Sequence, residues 1–91
     1  MDAVINYQTW TSIVEDNRGN SWSDVLWALL ARDNIFDAWE RLSATEKNIV
    51  EITDAKLKNE CRKFIADNLP AKNSTPQAKA EGRWWWFLNE A

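Results

Sequence analysis

The stretch SATEKNIVEITDAKLKNECRKFIADNLP, residues 43–70, decides the fold class. It opens on Ser43-Ala44-Thr45-Glu46, a capping box with Ser43 as the N-cap and Glu46 at the third helical position. Ile49, Val50, Thr53, Leu57, Cys61, Phe64 and Ile65 then fall on one stripe of a helix that turns about 100° per residue. Pro70 sets the far limit, because the residue before a proline is steered out of the helical region. The stretch reads as one long helix, the spine against which the rest of the chain packs.

Upstream, Asp2 to Asp16 reads as a first helix. Ala3, Tyr7, Trp10 and Val14 form its inner stripe, Ile13 widens it, and Val4 and Ile5 lie off it. Asn17-Arg18-Gly19-Asn20 is the stop, with Gly19 as a left-handed cap. Ser21-Trp22-Ser23-Asp24 opens a second helix, with Val25, Leu26, Leu29 and Leu30 facing inward and Trp27 at the edge. Counted from Leu26, Trp39 and Leu42 fall on the opposite side, so a break is expected at Asp33-Asn34. Ile35, Phe36, Trp39 and Leu42 would then make a short third helix.

Downstream, residues 70–75 are the one linker-like segment. Thr75 as cap and Pro76 in the first helical position start a fifth helix. Gly82 falls inside it, marking either a kink or an end beyond which Arg83 to Leu88 run extended. The expected fold is all-α: a single domain over residues 1–91, a small irregular bundle of about five helices packed around the long fourth one.

Composition narrows the function. The chain holds 91 residues, 45% of them hydrophobic, with a net charge of −3 from 14 acidic and 11 basic side chains. That balance is too weak for a mimic of a nucleic-acid backbone and has the wrong sign for general nucleic-acid affinity. With no His and a single Cys, neither the commonest catalytic base nor a zinc cluster is available. Cys61 lies on the apolar stripe, as a small buried hydrophobe rather than a nucleophile. Asp33, Asp37 and Glu40 could face a cation, but Arg32 and Arg41 beside them favour a solvated helix face. Gly19 and Gly82 are isolated and build no phosphate loop. The chain reads as a non-enzyme without cofactor, metal or catalytic residue. The unpaired Cys61 and the lack of any long apolar run point to a cytoplasmic protein that does not engage membranes.

Seven Trp in 91 residues is far above ordinary usage. Trp10, Trp22 and Trp39 lie on or beside apolar stripes and are expected in the core. Arg83-Trp84-Trp85-Trp86-Phe87-Leu88 is different, because one helix or strand face cannot bury four consecutive aromatics. At least one should stay outside. Arg83, Trp84, Trp85, Trp86 and Phe87, with Lys79 at the rim, therefore form the expected protein-binding patch. The reading is a protein-binding module of adaptor or inhibitor type, such as the small inhibitors of phages and mobile elements that block a larger host enzyme. A single-stranded nucleic-acid binder ranks second: Lys56, Lys58, Arg62, Lys63 and Lys72 would follow phosphates while indoles stack on bases. Self-association through the Trp cluster is compatible with either.

Overall fold

The computed structural model describes residues 2–17, 22–62, 65 and 73–88. Four α-helices and two short 3-10 turns account for nearly all of them, and no strand occurs among the described residues. We label the helices α1 (Asp2–Asn17), α2 (Trp22–Ala38), α3 (Ala44–Asn59) and α4 (Pro76–Glu81). The 3-10 turns are Trp39–Arg41, directly after α2, and Trp84–Phe87, after α4. The described residues span 33 × 31 × 20 Å, and the short axis leaves room for two helix layers of about 10 Å each.

The first helix buries Val4, Tyr7, Thr11 and Val14. That stripe is rotated from the expected one: Val4 points in, while Trp10 slides to the edge and stacks on Trp27 with ring centroids 6.3 Å apart. α1 packs chiefly on α2 and then on α3.

No break occurs at Asp33-Asn34, because α2 runs unbroken through both. The expected interruption came from counting the helical phase from Leu26, and Leu26 and Leu30 are only half-buried. Val25, Ala28, Leu29, Ala31, Arg32 and Ile35 are the residues that turn inward. Counted from Ala28, Ile35 and Trp39 come round to within about 20° of it, so one continuous face persists. The expected second and third helices are therefore one, and the described residues form four α-helices rather than five.

The capping box of α3 is present in full. The Glu46 backbone N–H donates to Ser43 Oγ at 3.1 Å, and the Ser43 N–H donates to Glu46 Oε1 at 3.0 Å. Val50, Thr53 and Leu57 are buried as the stripe requires, and Cys61 and Ile65 continue it inward. The helix stops at Asn59, however, and a turn at Glu60–Cys61 interrupts the long expected spine. Neither glycine nor proline stands there, so no local signal marks the break. Phe64, Pro70 and most of the 70–75 linker lie outside the described residues.

Thr75 and Pro76 begin α4 as expected, with Thr75 Oγ1 accepting from the Ala78 N–H at 3.1 Å. Gly82 ends it in the left-handed region at φ 83°, a conformation that penalises any Cβ. Arg83 to Leu88 do not run extended. The chain tightens into the Trp84–Phe87 3-10 turn, and Ser74 Oγ donates to the Trp86 carbonyl at 2.7 Å across it.

Candidate functional site

The 3-10 geometry answers how four consecutive aromatics can be accommodated. At three residues per turn, positions i and i+3 eclipse while the two between them point about 120° to either side. Trp84 and Phe87 accordingly share one outward direction and are half-buried. Trp85 and Trp86 flank it and are inside, 0% and 1% exposed. As core residues, these two cannot serve as accessible anchors, and of the four aromatics in the expected patch Trp84 and Phe87 remain accessible.

Asp33 holds this turn. Its Oδ1 accepts from Trp85 Nε1 at 2.8 Å, Trp86 Nε1 at 2.9 Å and Arg83 Nη1 at 3.0 Å. Arg83 also bonds Asp37 at 2.9 Å and Glu81 at 2.7 Å, and its guanidinium lies 4.5 Å from the Phe36 ring centroid. Hydrogen bonds to Glu81, Asp37 and Asp33 outweigh partial burial and hold that guanidinium firmly charged. Asp33 and Asp37 are thus partners of Arg83, and Glu40 is exposed. Among the described residues no group of His, Cys, Asp or Glu could hold a metal ion.

A second polar cluster lies deeper. Arg32, 7% exposed, reaches both oxygens of Asp54 through Nε (3.0 Å) and Nη2 (3.2 Å), and the Tyr7 hydroxyl donates to the same carboxylate. Burial first, then the Asp54 charge, pushes Tyr7 far above the usual phenol range. The Arg32 guanidinium carbon is 4.5, 5.7 and 5.9 Å from the ring centroids of Trp85, Trp84 and Trp39. Arg32 therefore fills the centre of an aromatic box, where each ring face attracts its charge.

On the outward face, Trp84 and Phe87 form one wall of an open groove of about 750 Å³. Lys58 from α3 lies 4.2 Å from the Trp84 ring centroid, and Lys79 from α4 lies 5.6 Å from that of Phe87. Arg62 and Arg83 complete the basic lining. No carboxylate is among the described residues that line the groove. The structure thus joins parts of the two residue sets expected from sequence: Lys58 and Arg62 from the basic stretch, Lys79, Arg83, Trp84 and Phe87 from the aromatic one. Lys56 is elsewhere, 3.5 Å from Glu15 on α1. Lys63 and Lys72 lie outside the described residues.

Of the three Trp expected in the core, Trp10 and Trp39 are half-buried, and the Trp22 side chain lies outside the described residues. Trp27, placed at the edge of α2, is 51% exposed. Beside Trp10, it lines a smaller cleft of about 460 Å³ that includes Leu30, Asp33 and Asp37. Composition had flagged the Trp content, but the pairing of Trp10 with Trp27 depends on how α1 and α2 dock. Cys61 is buried, as its place on the stripe required, and its thiol is pushed up to about 11, chiefly by burial. No helix among the described residues is long and apolar enough to cross a membrane. No protein family, curated protein or solved structure matches this chain.

Proposed function

We propose that this chain is a non-enzymatic protein-binding module whose contact surface is the basic groove lined by Trp84 and Phe87. The observation that carries it is the convergence of Lys58, Arg62 and Lys79 around two partly exposed aromatics, without a carboxylate among the described lining. Aromatic and Arg side chains at a concave surface have the composition of an interface hot spot. An inhibitor that covers part of a larger enzyme, of the kind phages and mobile elements carry, is the form of this reading that suits so small a domain.

Single-stranded nucleic acid is the second reading, because Lys58 and Arg62 do stand beside an indole. It is weaker on one physical ground. Stacking a base needs an open ring face, and Trp84 already carries Lys58 at 4.2 Å, Arg32 at 5.7 Å and the edge of Trp85 at 5.5 Å. A base would have to displace one of them.

Affinity capture with the wild-type chain, Lys58→Glu and Phe87→Ser separates the readings. A protein that co-elutes with wild type and is lost from both variants, while their helical circular dichroism persists, is the expected result. Identical capture by all three chains would remove the groove as the contact surface. Recovery of an oligonucleotide complex whose affinity falls steeply with added salt would transfer the assignment to nucleic acid.

A further inference from the structure

Behind Trp84 lies a second cavity, of about 440 Å³, walled by Phe36, Trp39, Trp84 and Trp85 and containing Arg32. It shares Trp84 and Gly82 with the basic groove, so the two concavities adjoin across one indole. Its volume lies toward the lower end of the range for small-ligand pockets and leaves ample room for one apolar side chain.

Arg32 defines what would fit. Asp54 matches its charge through Nε and Nη2, but Nη1 is buried without an acceptor. Ring faces offer that nitrogen only partial compensation, and a buried donor without an acceptor is costly. Since the charge is already matched, the missing group is a neutral acceptor such as an amide carbonyl. Asp37 and Glu40 at the rim disfavour a carboxylate there. Trp39, half-buried on its own 3-10 turn with Lys47 lying 5.5 Å from its ring, is one wall of the cavity.

We propose that this cavity takes one apolar residue of a partner polypeptide, its backbone carbonyl accepting from Arg32, while acidic residues beside it in the partner lie along the Lys58, Arg62 and Lys79 groove. The inference rests on the protein-binding reading and specifies the partner's chemistry: an acidic segment with an apolar anchor. The anchor displaces the Trp39 indole and lies between it and Trp84. Charge complementarity selects the acidic flank, and the unmatched guanidinium nitrogen selects a peptide carbonyl.

Four probes test it on the intact chain, followed by the indole N–H resonances in NMR. N-acetyl-leucinamide should bind saturably in the millimolar range, shifting the Trp39 and Trp84 indoles, and Trp39→Ala should abolish this while its circular dichroism is unchanged. A blocked acidic peptide ending in leucinamide should bind at least ~tenfold tighter than the same peptide ending in serinamide. Lys58→Glu should weaken both peptides but leave N-acetyl-leucinamide unaffected. No saturable shift with N-acetyl-leucinamide at tens of millimolar, or equal affinity for the two peptides, would overturn the anchor assignment. The first of these failures is distinct from failure of the groove reading, which shows as peptide binding indifferent to Lys58→Glu. An oligothymidylate that binds where neither peptide does would overturn it in favour of nucleic acid.

Discussion

Replacing Asp33 with alanine removes a single acceptor that three donors share. Arg83 keeps Asp37 and Glu81, so its loss is small. The indole N–H groups of Trp85 and Trp86 have no such reserve, because both side chains are buried. A buried donor left without an acceptor costs about 1–3 kcal/mol, which makes roughly 2–6 kcal/mol for the pair. The whole domain, at about 0.05–0.15 kcal/mol per residue, has roughly 5–14 kcal/mol to lose. Asp33→Ala should therefore remove a large part of the stability, lowering Tm by about 8 °C at the least. Asp33→Asn keeps a carbonyl oxygen for the indoles and gives up only the charge towards Arg83, at about 1 kcal/mol. Urea unfolding followed by far-ultraviolet circular dichroism measures both variants without relying on the Trp signal that the substitution disturbs. Equal losses for Ala and Asn, or a loss under about 1 kcal/mol for Ala, would refute the view that Asp33 satisfies the two indoles.

Other consequences are direct. Gly82→Ala meets no atom within 4 Å, so its whole effect is the backbone conformation at φ 83°; a loss of about 1–2 kcal/mol is expected, read as a Tm shift. A neutral result would mean that α4 ends elsewhere. Cys61 should resist iodoacetamide at about pH 8 in the native state and react at once in denaturant, since thiolate is the nucleophile. The folded protein keeps that proton to about pH 11, whereas an unfolded cysteine releases it near ~8.5. Stability should consequently fall as pH rises across that window, and less so in Cys61→Ala; rapid native alkylation would contradict the burial.

What could be read from sequence followed the range of the interaction. Ser43, Glu46, Thr75 and Pro76 act within one helical turn, and each does in the structure what its local chemistry required. The stripe from Val50 to Ile65 was equally legible, because burial repeats with the helix period. Leu26 misled because an apolar residue on a short helix face carries no label of which way is in; Ala28 and Arg32, a small and a charged residue, mark the inner face of α2 instead. That part of the Trp run stays outside was legible, but which members do was not, because a 3-10 turn follows neither the 100° period of an α-helix nor the 180° period of a strand. Nothing local could have paired Asp33 with indoles 52 and 53 residues further along. The groove shows both sides of this. Its residue types were visible from composition, but the meeting of Lys58 with Trp84 required the fold.

The distance along the chain between Asp33 and its two indoles has a consequence for synthesis. A nascent chain emerges from the ribosome in order, so α1 and α2 are free to pair long before Trp85 and Trp86 appear. During that interval the face of α2 around Arg32 and Ile35 lacks its cover, and the Asp33 carboxylate lacks its indole donors. The hairpin of α1 and α2 is thus a waiting platform, open to chaperones, until the Trp84–Phe87 turn arrives and seals it.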